Sequence, residues 1–286
     1  MRFIVLGLAV FLSTAGVAQS VPSAISSDPP SDARHPAAMA VLHIPSHGLL
    51  INGIVYQPAG AGPHPTLIIC HGLPGNEKNL DLAQAVRRAG WNAVTFNYRG
   101  SWGSPGNFRF AQNLEDAGAV LDYLRAPANA SRLGIDPKRI AIAGHSMGGW
   151  VTALTAAHDP GLMGVILISA ADMGAMGKLP RGKVAAEMAD NMEALAGVTA
   201  EGMADEVIAN HEIFGLDNAV AGLAGLPLLV LTANDGLAPR ADELVKAIRA
   251  KGGKQVTEIH AETDHGWSDH RIYLETVVVN WLAQLK

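Results

Sequence analysis

A single cysteine, Cys70, stands in the 286-residue chain, so no intrachain disulfide can form and oxidation supplies no staple. Its place at the end of an apolar run marks it as a small buried hydrophobe rather than a nucleophile. A large excess of either charge is missing too. The chain has 21 Lys and Arg against 26 Asp and Glu, a net −5, with no long run of either. That removes the electrostatic footprint of nucleic-acid binding. The glycine-rich stretch 97–106 has no Lys after a glycine, which excludes a phosphate-binding P-loop. No G-x-G-x-x-G follows the first buried strand, and none of Tyr56, Tyr98, Tyr123 and Tyr273 has a Lys four residues on. A dinucleotide-dependent oxidoreductase would carry one or other of these marks. His260, His265 and His270 are spaced by five, which suits neither a helix face nor a zinc-ligand pattern. No metal and no organic cofactor are expected.

Long apolar runs are absent except at the start. Phe3–Leu12 is apolar, Arg2 precedes it, and Gly16-Val17-Ala18 follows with small residues. This layout predicts a cleavable signal segment over 1–18, too short to span a bilayer comfortably. Export to a periplasm or the outside is expected, with no membrane attachment after cleavage. Residues 19–39, with Pro22, Pro29, Pro30 and Pro36 among Ser, Asp and Ala, read as a tether. The remainder, 40–286, belongs to a chain that is 49% hydrophobic and fits one domain with a sizeable core.

Within that domain, 41–44 and 49–56 read as a hairpin around Ser46-His47-Gly48. Buried strands are predicted at 66–70, 93–96, 139–143, 165–168, 228–232 and 256–260. Helices are predicted at 81–89, 114–124, 147–157 and 239–250, with an amphipathic closing helix at 271–285. Strands alternating with helices imply an α/β fold with a mostly parallel central sheet flanked by helices. The rhythm breaks between Met173 and Gly225, where only two helices are expected, at 183–195 and 200–214. The plain reading is an inserted helical pair packed on the domain. The sharper one, compatible with it, is a helical cap over about 172–222 with Met188 and Met192 as its adaptable, pocket-lining side chains.

The stretch that organises the chain is Gly144-His145-Ser146-Met147-Gly148, between a buried strand and a small-residue helix. A turn that sharp strains the central serine and lifts its hydroxyl clear of the sheet, and both flanking positions must be small. A serine hydroxyl needs a base, and the base an orienting acid. Asp235 lies on the loop after the 228–232 strand, with Asp172, at the end of the preceding strand, as the alternative acid. His265 lies on the loop after the last strand, whereas His260 is inside that strand and His270 opens the closing helix. The backbone N–H groups of Met147 and Leu73, the latter in His71-Gly72-Leu73-Pro74-Gly75, are the donors expected to meet an oxyanion.

Taken together, His71-Gly72, Asn97-Tyr98-Arg99-Gly100, Gly144-His145-Ser146-Met147-Gly148, Asn234-Asp235 and Asp264-His265-Gly266 resemble the α/β-hydrolase superfamily. Within it the chain is similar to serine aminopeptidase-like and prolyl oligopeptidase-like hydrolases over about residues 40–286. The resemblance implies an α/β-hydrolase fold and an acyl-enzyme hydrolase with a Ser146, Asp235, His265 triad. Its substrate would be a small ester, amide or peptide. A serine peptidase or aminopeptidase is the narrower version of that reading, and a binding protein that kept the fold is the remaining one.

Overall fold

A computed structural model describes residues 20–285. The predicted signal segment 1–18 lies outside the described residues. Among those described, no helix is long and apolar enough to cross a membrane.

Eight strands form one sheet, β1 (Ala38–Ser46), β2 (Leu49–Gln57), β3 (His64–Cys70), β4 (Asn92–Phe96), β5 (Ile135–His145), β6 (Gly164–Ile168), β7 (Leu228–Thr232) and β8 (Val256–His260). Their spatial order is β1-β2-β4-β3-β5-β6-β7-β8. The β1–β2 and β2–β4 pairs are antiparallel; every pair from β4 onward is parallel. The hairpin turn at His47-Gly48 takes positive φ at both residues.

Eleven α-helices surround the sheet among the described residues. They are α1 (Ser23–Ser26), α2 (Leu80–Arg88), α3 (Phe110–Arg125), α4 (Pro127–Leu133), α5 (Met147–Ala156), α6 (Met173–Met176), α7 (Arg181–Ala189), α8 (Ala200–Ala209), α9 (Val220–Leu223), α10 (Ala238–Ala250) and α11 (Arg271–Leu282). Alternation along each parallel strand divides the core. Ile68, Ile142 and Val230 pack on the face covered by α3, α5 and α10. Leu67, Ala141 and Leu229 pack on the other, against α2 and α11. Such strands are buried on both sides, which is why they appear as unbroken apolar runs in the sequence.

At the two ends of the described residues the structure differs from expectation. The segment predicted as a tether is laid on the body: α1 packs against α2 and α11, Ala24 is buried, and Arg88 Nε donates to the Ala24 carbonyl. That covering explains the second difference. The closing helix α11 is not amphipathic over its length; from Leu274 to Leu282 every residue except Asn280 is buried. Asn280 in turn reaches back to the Ser20 carbonyl at 3.2 Å. Over 274–282 a helix enclosed by sheet, α2 and the 20–26 segment has no solvent face to mark.

Candidate active site

The site is built at the carboxyl ends of the parallel strands, where open α/β sheets hold their ligands. Ser146 follows β5 directly and holds φ 57°, ψ −123°, a conformation that costs a non-glycine residue about 1–3 kcal/mol. The surroundings enforce it. A Cβ on Gly144 would come within 2.0 Å of the Gly148 carbonyl oxygen, and one on Gly148 within 2.1 Å of the Cys70 carbonyl oxygen. The Ser146 N–H is committed to the Ile168 carbonyl at 3.0 Å, and its own carbonyl accepts from Ala171 N–H at 3.0 Å. Gly72 lies so close that a Cβ there would stand 3.0 Å from the Ser146 Cβ. This brings the Leu73 turn beside Ser146.

Asp235 and His265 meet across the gap between the β7 and β8 loops, with His265 Nδ1 2.9 Å from Asp235 Oδ2. The carboxylate accepts only, so Nδ1 carries the proton and Nε2 is left with its lone pair. The Asp235 side chain is 3% exposed. Burial alone would raise its pKa, but hydrogen bonds from His265, the Leu237 N–H and Ser169 outweigh that and hold it down to about 2. Ser169 is itself backed by Trp267, whose indole N–H donates to its Oγ at 3.1 Å. Both Ser169 and Trp267 take positive φ. Neither the serine nor the tryptophan stands out in the sequence, because their role depends on contacts 98 residues apart. Ser146 and His265 are not hydrogen-bonded to each other.

The rivals are occupied elsewhere. Asp172 caps α6, accepting from Ala175 N–H at 3.0 Å. His260 bonds Thr232 Oγ1 at 2.9 Å and Asn234 Oδ1 at 3.0 Å, and His270 pairs with Asp269 at 2.9 Å. Asp264, exposed, accepts from Ser268 N–H at 2.8 Å. Cys70 is a buried free thiol whose pKa burial pushes up to about 12.

A cavity of about 170 Å³ opens over Ser146, with Leu73, Met147 and His265 beside it and Met173, Met176, Glu187 and Asn191 above. The upper residues come from the segment between β6 and β7. The methionines are not the two expected: Met188 is fully buried in the helical packing, and Met192 packs against the core. The segment is also less helical than its periodicity predicts. Its two main helices stop at Ala189 and Ala209, because the chain beyond each is diverted into other bonds. Leu195 bridges Ser101, Trp102 N–H bonds the Ala194 carbonyl at 3.0 Å, and Ala196 N–H bonds the Gly100 carbonyl at 2.7 Å. Trp102 then donates its indole N–H to the Pro74 carbonyl at 2.7 Å, beside Leu73. The Phe214 carbonyl takes the Trp150 indole N–H at 2.7 Å. The 97–106 loop is held in turn by buried Asp116, which accepts from Arg99 N–H at 2.8 Å and Arg99 Nε at 2.6 Å.

A strained serine at a strand-to-helix turn, with a carboxylate-bound histidine on later loops of a parallel sheet, defines an α/β hydrolase. The family model described as alpha/beta hydrolase fold matches residues 70–269, and the chain belongs to that family. An uncharacterized protein of Mycobacterium tuberculosis (strain CDC 1551 / Oshkosh), MT2364, is 29% identical over 126 residues, 44% of this chain and 43% of its own length. The chain therefore matches less than half the length of that relative. Among solved structures, the Pyrobaculum calidifontis esterase superposes with TM-score 0.64 at 20% identity, covering 87% of this chain and 86% of the esterase. A Pyrococcus horikoshii acylaminoacyl peptidase gives TM-score 0.68 at 16% identity, covering 87% of this chain and 42% of the peptidase. At these identities the likeness is one of fold.

Proposed function

We propose that the protein is a serine hydrolase that cleaves a small carboxylic ester or amide through an acyl-enzyme. The observation that carries this is the 2.9 Å Asp235–His265 bond opening on the same cavity as Ser146. Ser146 Oγ attacks the substrate carbonyl carbon while His265 Nε2 takes its proton. Asp235 holds the imidazole in the Nδ1–H tautomer and stabilises the imidazolium that forms. The tetrahedral oxyanion is met by the N–H groups of Met147 and Leu73. Met147 opens α5, so a helix N-terminus adds its positive dipole end there. Collapse sends the proton from His265 to the leaving group, and water repeats the sequence to release the acid and restore Ser146. A cavity of about 170 Å³ suits a short acyl group.

Wild-type protein should label with a fluorophosphonate probe and turn over p-nitrophenyl butyrate, and Ser146→Ala should do neither. Equal labelling of the two would overturn the assignment. A panel of esters of graded acyl length beside aminoacyl amides separates an esterase from a peptidase or aminopeptidase. The segment 1–18 supports action outside the cytoplasm. Its test is N-terminal sequencing of protein recovered from the periplasm or medium, and an intact Met1 there would contradict it.

A further inference from the structure

Four successive carbonyls of the loop that carries His265 are each taken by a different donor. Thr263 O accepts from Asn234 N–H at 3.0 Å, Asp264 O from Trp267 N–H at 3.0 Å and Gly266 O from Arg271 Nη1 at 3.0 Å. The His265 carbonyl itself lies 2.7 Å from His145 Nε2. Of these donors, only His145 belongs to the elbow; it immediately precedes the nucleophile. The two imidazoles lie with centroids 4.6 Å apart at 44°. His145 is 5% exposed and sits at the end of β5 in register with Ile168, so its position is set by the strand that sets Ser146.

We propose that His145 is a positioning residue for the base: its Nε2–H ties the His265 backbone to the nucleophile's own strand and so fixes the distance between Ser146 Oγ and the His265 ring. The inference rests on the triad reading above. A carbonyl only accepts, so the His145 proton must be on Nε2. The ring holds one proton rather than two, because burial pushes its pKa down to about 4. The charges of His265 and Arg271 favour the neutral form as burial does, while the bond to the His265 carbonyl and the Asp235 charge oppose them and are outweighed. A neutral donor keeps the tie without adding positive charge under an imidazole that must accept a proton. Nothing else about an imidazole is required. Any uncharged N–H at the reach of Nε2 serves the same purpose.

That requirement gives the test, because a glutamine amide nitrogen falls near the Nε2 position and an asparagine amide nitrogen near Nδ1. With p-nitrophenyl butyrate at neutral pH, His145→Ala should lose about 10²-fold in kcat with KM little changed, the cost of a misplacement of about 1 Å at the reacting atoms. His145→Gln should regain most of that loss and His145→Asn should not, with thermal midpoints recorded for all. If His145→Ala does not fold, the Gln and Asn pair carries the test alone. Wild-type kcat in His145→Ala, or Gln and Asn impaired alike in step with lost stability, would overturn the proposal. Ser146→Ala and His265→Ala report on the triad separately. Both inactive beside a fully active His145→Ala rejects the positioning role only, whereas both active rejects the triad and the positioning role together.

Discussion

The floor and the roof of the cavity are held in different ways. The floor consists of the elbow and the two loops after β7 and β8, and almost every group in it is fixed more than once. Ser146 is held by steric exclusion at Gly144 and Gly148 and by both of its backbone bonds. Asp235 accepts from His265 and the Leu237 N–H. The roof, residues 173–225, is held chiefly by apolar packing of side chains such as Val184, Met188, Met203, Val207 and Phe214 into the core. Hydrogen bonds add to this from the 194–197 strip to the 100–109 loop, from Asn76 to Glu193, from Ala111 N–H to Glu206, from Leu216 N–H to Asp172 and from Trp150 to the Phe214 carbonyl. Over-determination at the floor lets strain persist where chemistry needs it. A roof held by adaptable apolar side chains rather than by a strained backbone can change its lining without moving Ser146 and His265. Changes to the floor should therefore strike kcat, and changes to the roof should strike the ranking of substrates.

The largest effect expected is at the floor. Asp235→Asn leaves a side chain of the same shape but favours the wrong imidazole tautomer, since an amide can donate to Nδ1. A loss of roughly 10⁴-fold in kcat follows by analogy with triads of this design, with the thermal midpoint little changed. A loss below about tenfold would mean that Asp172 or another acid shares the role, although its carboxylate caps α6.

Acid should weaken the fold before it protonates the Asp235 carboxylate. His71 and His145 are both buried, and burial takes each from an ordinary pKa of 6.5 down to about 4. Between those values the unfolded chain binds protons that the folded chain refuses, so stability rises with pH across this window. On acidification the loss begins near pH 6.5 and is complete near pH 4, at about 3 kcal/mol for each histidine. Asp235, whose pKa is lowered to about 2, acts in the same direction but further down, since its contribution is lost only as pH falls below the ordinary carboxylate range. Thermal midpoints between pH 7 and 4 should fall by roughly 10 °C or more, and a flat profile would contradict the burial of these two rings. His71 adds a further cost, because its Nε2 is buried without a partner.

How much of this division was legible follows from the range of the forces involved. The elbow, the order of Ser146, Asp235 and His265, and the runs Leu228–Thr232 and Val256–His260 are local patterns, and the structure has strands and turns where they predict them. Strand β5 begins at Ile135 rather than Arg139. Ile135 pairs with His64, but the register shifts before Ile140, and the exposed or half-buried Asp136, Pro137, Lys138 and Arg139 between them break the apolar run. Helical stripes over 183–195 and 200–214 could not reveal that Leu195 gives its backbone to Ser101 or that Phe214 is drawn to Trp150. Both partners lie far away in sequence. For the same reason the stripe pointed to Met188 and Met192, while the cavity is lined by Met173 and Met176, which lie on a four-residue helix too short to show a period.

The roof can therefore be probed at Met176, which is half-buried and lines the cavity. Met176→Ala should raise kcat/KM for longer acyl esters relative to short ones, by up to about 10–200-fold, the range that one methylene commands in an apolar pocket. kcat for the shortest ester should stay near the wild-type value, because no floor contact is touched. An unchanged ranking would move substrate choice to the 97–106 loop.

The smallest effect contrasts two glycines under one substitution. At Gly148 an added Cβ meets the Cys70 carbonyl oxygen at 2.1 Å, whereas at Gly182 it meets nothing within 4 Å. Gly182 lies within α7, on the roof, in an exposed turn. Its backbone is already helical, so alanine asks for no new conformation and removes freedom from the unfolded chain only. Gly182→Ala should stabilise the protein by about 0.5–1 kcal/mol and raise the thermal midpoint by about 2 °C, with kcat and KM unchanged. A fall in kcat without a fall in stability would show that the first turn of α7 is coupled to the reacting atoms, and the roof would then be part of the floor's rigid frame rather than a lining that can vary on its own.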